Sequence, residues 1–122
     1  MGIQNLSDDI IIVGLHREPQ MRDELKTITD VVRDRGDCDV ILDFSNVDII
    51  TSPSLAVLLK LRKLLADCGH RVVFCCVPAF TKGAFSITGL DGIFEIVEDR
   101  AAASAELKHV NTVDKVDLPE FT

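Results

Sequence analysis

Apolar residues alternate along the chain between short unbroken runs and helical stripes. Ile10-Ile11-Ile12-Val13-Gly14-Leu15 is nearly all β-branched and predicts a strand covered on at least one face. Residues 16–20 read as a loop, because Pro19 cannot donate to a ladder. Met21, Leu25, Ile28 and Val32 then recur at helical spacing among Arg22, Asp23, Lys26, Asp30 and Arg33, an amphipathic helix ending near Gly36. Val40 to Phe44 is a second strand, and Ser45-Asn46-Val47-Asp48 supplies turn chemistry. After Thr51-Ser52-Pro53 comes a second helix with a broad apolar face (Leu55, Val57, Leu58, Leu61, Leu64, Leu65, Cys68), stopped by Gly69. Arg71 to Val77 reads as a third strand closed by Pro78. Ala79 to Thr88 reads as a short helix with Phe80, Ala84 and Ile87 on one side. Ile93 to Val97 is a final short strand, and Ala101 to Lys108, rich in helix formers, a last helix.

Strand and helix thus follow one another four times. That order demands crossovers and a mostly parallel or mixed sheet of about four strands with about four helices, an α/β fold. With 122 residues the chain has the length of one domain, placed at residues 1–109. Periodicity is lost over residues 110–122, where a flexible C-terminal tail is expected.

Charge narrows the partners. Twenty acidic side chains against 13 basic ones leave a net charge of −7, the wrong sign for a nucleic-acid or anionic-membrane binder. Six Phe with no Trp or Tyr make base-stacking platforms improbable. The longest stretch free of charge, Ile49 to Leu59, is 11 residues, against the ~20 a membrane-spanning helix needs. No membrane insertion is expected. Nor does a signal peptide open the chain, and Leu6 stands where a myristoylation start wants Ser or Thr. A cytoplasmic location follows as the expectation.

Catalytic chemistry is hard to find. Gly36, Gly69 and Gly89 stand alone, so no phosphate loop follows a strand, and there is no nucleophile elbow. Asp8-Asp9 and Glu98-Asp99 sit at element ends, as caps do. Cys38, Cys68, Cys75 and Cys76 lack metal-ligand spacing and read as free buried thiols, and His16, His70 and His109 are scattered. On a strand, Cys75 and Cys76 would point to opposite faces. No metal or cofactor is expected, and a small enzyme using Cys75 or Cys76 is the minority reading.

One segment carries more. Asp43-Phe44-Ser45-Asn46-Val47-Asp48-Ile49-Ile50-Thr51-Ser52-Pro53-Ser54-Leu55 brings three hydroxyls to the start of the most apolar helix. Ser52 before Pro53 fits a helix N-cap with proline at the first helical position, a structural role that alone accounts for the residue.

The same segment resembles the signature of the STAS family, the bacterial anti-sigma factor antagonists. In that pattern an apolar strand ends in Asp, a small turn and an apolar pair follow, and Asp-Ser-Ser/Thr-Gly-Leu opens a helix. Val40 to Phe44 with Asp43 matches the strand, and Thr51-Ser52-Pro53-Ser54-Leu55 occupies the place of the last motif. Downstream, Val77-Pro78-Ala79-Phe80, Phe85 to Leu90 and Ile93-Phe94 resemble the post-strand helix and its ending. The resemblance covers roughly residues 6–108 and implies helices packed mainly on one face of the sheet. Thr51 stands for the motif Asp, Pro53 for the second hydroxyl residue and Ser54 for Gly. Of an early Gly-Glu-Leu-Asp motif, Arg17-Glu18-Pro19-Gln20 keeps Glu18.

The resemblance implies a regulatory binding protein, not an enzyme. Its partner would be an anti-sigma factor with a serine-kinase (GHKL-type) fold that phosphorylates Ser52, with Thr51 the alternative acceptor. Asp43, Asp48, Thr51, Pro53, Ser54, Leu55 and Glu18 would surround the acceptor and meet the partner. Phosphorylation would release the partner. The other reading is a scaffold or transporter-accessory module that is never phosphorylated. Whether the chain acts alone or as a homodimer stays open.

Overall fold

In a computed structural model, described for residues 2–7 and 9–108, one mixed sheet organises the chain. The strands are β1 (Gly2–Ser7), β2 (Ile10–Gly14), β3 (Asp39–Asp43), β4 (Val72–Cys75) and β5 (Glu95–Val97). Their spatial order is β1-β2-β3-β4-β5. β1 runs antiparallel to β2, and all other pairs are parallel. The helices are α1 (Gln20–Arg35), α2 (Ser52–Asp67), α3 (Ala79–Ile87) and α4 (residues 100–108). The expected tail at 110–122 lies outside the described residues.

The strands obey the two-residue period. Ile11, Val13, Val40, Leu42, Val72 and Phe74 face one side, where they join Met21, Leu25, Ile28 and Val32 of α1 and Leu58, Leu61 and Leu65 of α2. The aromatic centre is Phe74, with ring centroids of Phe94 at 4.6 Å, Phe44 at 4.7 Å and Phe85 at 6.0 Å. Ile10, Ile12, Ile41, Val73 and Cys75 face the other side and meet Ala103 and Leu107 of α4. The packing is thus mainly one-sided, with α4 the only helix on the second face among the described residues.

Helix ends follow local chemistry. α1 stops at Gly36, whose φ of 66° suits glycine and whose N–H donates to the Val32 carbonyl. α2 ends in a Schellman arrangement: Gly69 donates to Ala66 and His70 to Leu65. Asp99 caps α4, accepting from the Ala102 N–H at 2.8 Å.

The structure corrects four expectations. The sheet has five strands, not four, because β1 is exposed at every position and so carries no hydrophobic alternation to read. α3 turns Thr81 and Phe85 inward and leaves Phe80 77% and Ile87 88% exposed, since nine residues give too few turns for a pattern to fix the buried face. Cys68 lies at the α2 C-cap and is exposed, while Cys76 is only half-buried. Finally, β4 ends at Cys75, and Cys76 takes a left-handed φ of 58°. That rotation breaks the alternation, so Cys75 and Cys76 pack on the same face.

Candidate functional site

The parallel strands deliver their carboxyl ends to one edge of the sheet, the usual place for function in an open α/β fold. Three connections meet there: residues 15–19 after β2, 44–51 after β3 and 76–78 after β4.

The β3–α2 connection is held at three points. At its start, Asp43 Oδ1 accepts the Ser45 N–H at 2.9 Å, and Val47 donates to the Phe44 carbonyl. Phe44 and Val47 are buried, which pins the turn to the core. In the middle, the buried Thr81 hydroxyl of α3 donates to the Asp48 carbonyl at 3.2 Å. At its end, Thr51 Oγ1 accepts from the Ser54 N–H at 3.4 Å and caps α2.

The cap therefore falls on Thr51 and not on Ser52, one residue earlier than the sequence suggests, and Pro53 is the second helical residue. The shift matters chemically. Ser52 opens the helix with an exposed side chain, and its hydroxyl has no hydrogen-bond partner among the described residues. Ser54 next to it is fully buried, its hydroxyl 3.2 Å from Thr51 Oγ1. Of the three hydroxyls, two are engaged and Ser52 is free. Pro53 is exposed and Leu55 packs partly into the core.

Glu18 reaches this point from 33 residues away. Its Oε2 accepts from the Thr51 N–H at 2.9 Å and from Thr51 Oγ1 at 2.7 Å. Burial pushes the carboxyl up, but the hydrogen bonds from Ser54 and Thr51 outweigh it and hold Glu18 below the ordinary carboxylate value. The first turn of α2 has no acidic residue of its own. Glu18 supplies the negative charge that the helix N-terminus favours, and so returns a carboxylate to the spot where Thr51 stands for the motif Asp. The β2–α1 connection that carries it is braced by His16, whose N–H donates to Glu24 at 2.8 Å and whose ring nitrogen lies 2.6 Å from the same carboxylate.

Asp43 enters from the other face of the sheet. It is 6% exposed, and its Oδ2 accepts from Arg100 Nε at 2.6 Å. Burial would raise its pKa, but the hydrogen bonds from Ser45 and Arg100 win and lower it. Its link to the Ser52 side runs through the Ser45 backbone. Asp48 is exposed and contributes its carbonyl to the fold.

Beside the α2 N-terminus the surface is apolar. Ile49, Ile50, Leu55, Phe80, Ala84 and Phe85 line a pocket of about 180 Å³. Ile49 is 59% exposed and Phe80 77%, and the two give this pocket an exposed apolar rim. A wider, polar groove of about 480 Å³ lies between the β2–α1 and β3–α2 connections, with His16, Arg17, Asn46 and Asp48 among its walls. For a thiol enzyme the arrangement is poor. Burial raises Cys75 to about 12, so its thiolate is scarce.

The STAS domain model matches residues 11–103, most of the chain and every element just described except β1 and the last turns of α4. The chain belongs to the STAS domain family. A Bordetella bronchiseptica protein, BtrV, named as a candidate anti-sigma factor antagonist, is 33% identical over 75 residues. That alignment takes in 62% of this chain and 65% of BtrV, just under two thirds of the relative's length. A Thermotoga maritima structure, also described as a candidate anti-sigma factor antagonist, superposes with a TM-score of 0.71 at 21% identity over 88% of this chain and 93% of that one. The anti-sigma factor antagonist SpoIIAA of Bacillus, in its unphosphorylated form, superposes with a TM-score of 0.71 at 11% identity over 88% of this chain and 96% of that one. At such identities the structures establish the shared STAS fold. No described helix is long and apolar enough to cross a membrane.

Proposed function

We propose that this STAS domain is an anti-sigma factor antagonist whose partner is an anti-sigma factor with a serine-kinase (GHKL-type) fold, and that phosphorylation of Ser52 switches the contact off. The observation that carries the reading is the free, exposed Ser52 hydroxyl at the first turn of α2, the helix whose Leu55 lines the apolar pocket with Ile49 and Phe80. Thr51, the alternative acceptor, has its hydroxyl committed to Glu18 and to the cap. Asp48, Pro53, Ser54, Leu55 and Glu18 form the immediate surroundings, and Asp43 supports them from below. The family likeness supports the class of partner.

A phosphate adds about −1.5 to −2 charges at pH 7. At Ser52 it would stand at the positive end of α2, which tolerates an anion, but also beside Glu18 and on the rim a partner must desolvate. The domain keeps its fold while the interface fails. The test is incubation with the cognate kinase and ATP, phosphosite mapping, and partner affinity for Ser52→Ala and Ser52→Asp. Phosphate on Ser52 is expected, with Ser52→Ala binding like the parent and Ser52→Asp losing at least tenfold, about 1.4 kcal/mol. Absence of phosphate at Ser52 with unchanged affinity for Ser52→Asp sinks the switch and leaves an unphosphorylated scaffold or transporter-accessory module.

A further inference from the structure

We propose that Asp43, Cys75 and Cys76 form a binding site for one soft divalent cation of the zinc class, on the α4 side of the sheet. Sequence spacing hides this group, because Asp43 lies far from the cysteines in the chain and strand alternation would separate the two thiols. The fold brings them together. β3 and β4 pair in register with Asp43 opposite Cys75. The left-handed turn at Cys76 swings its side chain back onto the Cys75 face, a backbone conformation rarely adopted by residues other than glycine. The ligand atoms of all three lie within 4.8 Å of one another. A tetrahedral ion with sulfur at about 2.3 Å and oxygen at about 2.0–2.2 Å needs its ligand atoms ~3.4–3.8 Å apart, a small closure from there.

Arg100 does not close the site. A carboxylate accepts about four hydrogen bonds, and the Ser45 N–H, the Ser45 side chain and Arg100 draw on three of them, leaving one lone pair of Asp43 for an ion. Arg100 and Ser45 then act as outer partners that orient the carboxylate. Charge also balances: two thiolates and one carboxylate face a divalent cation and the guanidinium. Two thiolates select a soft ion over magnesium or calcium. On loading, the ion takes the place of the two thiol protons, which pass to solvent; no electron is transferred. Asp43 and Cys75 are buried while Cys76 is half-buried, so the approach is from the Cys76 side. Because Asp43 also holds the Ser45 N–H, a bound ion would stiffen the start of the β3–α2 connection. The site stands whether or not Ser52 accepts phosphate.

The test is a cadmium titration of the full chain, reduced and stripped of metal, followed by the ultraviolet thiolate-to-cadmium absorption and by competition with zinc. The expected result is saturation at one equivalent, with zinc reversing the band. Cys76→Ser and Cys75→Ser should each weaken binding ~tenfold or more, the scale on which even outer partners of metal ligands act. Cys38→Ser and Cys68→Ser should leave it unchanged. Cys76 is half-buried, so its variant folds even if Cys75→Ser does not; circular dichroism verifies this. No band at one equivalent, a band untouched by Cys76→Ser, or one lost with Cys68→Ser overturns the site. So does a reduced protein that binds no metal while peroxide joins Cys75 to Cys76 as a disulfide.

Discussion

On one face of the sheet, three helices bury a continuous core that runs from Ile11 through Phe74 to Phe94; on the other, α4 is the one helix among the described residues that covers Ile10, Ile12, Ile41 and Val73, with Ala103 and Leu107. The strand residues on the first face are apolar, and area removed from water is the main term that holds it together. The second supplements a thin apolar contact with ion pairs. Arg100 binds Asp43, and Arg71 joins Glu95 to Glu106 of α4. The Arg71 pairs are partly exposed and contribute little, and the apolar contact of α4 is the smaller one, so α4 should be the less firmly held of the two layers. The unequal build suits the two sites. The Ser52 hydroxyl stands on a helix bedded in the rigid face. The thiol and carboxylate cluster lies on the α4 face.

Four measurements test this inequality. Phe74→Ala should cost the most, ~3–5 kcal/mol in urea denaturation, because its ring touches three other buried rings. Leu107→Ala should cost ~2–3 kcal/mol, the low end for a buried leucine, and hydrogen exchange should speed up in α4 first. An equal cost for the two variants would mean the faces are equally firm. Thr51→Ala should cost ~1 kcal/mol by loss of the α2 cap, whereas Ser52→Ala should be near neutral in stability because Ser52 is not the cap. The reverse order would return the cap to Ser52. The smallest effect is Glu18→Gln. The folded carboxyl lies below its ordinary value of 4.5, so its contribution to stability is present above that pH and lost as pH falls through the lower folded value. Acid denaturation curves of parent and variant should differ at neutral pH and converge at low pH.

Much of this was legible in the chain. The runs at Ile10 and Val40, the stripe from Met21 to Val32, and the stops at Gly36 and Gly69 state strand, helix and boundary in the residues themselves. The motif from Asp43 to Leu55 falls at the carboxyl end of the parallel strands, where the proposed site is drawn. β1 was illegible because an exposed edge strand needs no pattern. The inward side of α3 was misread because Phe80 and Ile87 are apolar yet exposed, and apolar character predicts burial only where a partner layer exists.

What the sequence determined by itself was local and periodic: which segments prefer strand or helix, where they stop, and that their order demands crossovers. What only the tertiary structure decided was which distant groups meet. Glu18 reaches Thr51 across 33 residues, and Arg100 reaches Asp43 across 57. Cys76 joins Cys75 by one unusual φ. Periodicity records the face a residue shows to the core, because burial acts on every turn or every second residue. A single long-range contact leaves no period, so it becomes visible only when the chain has folded.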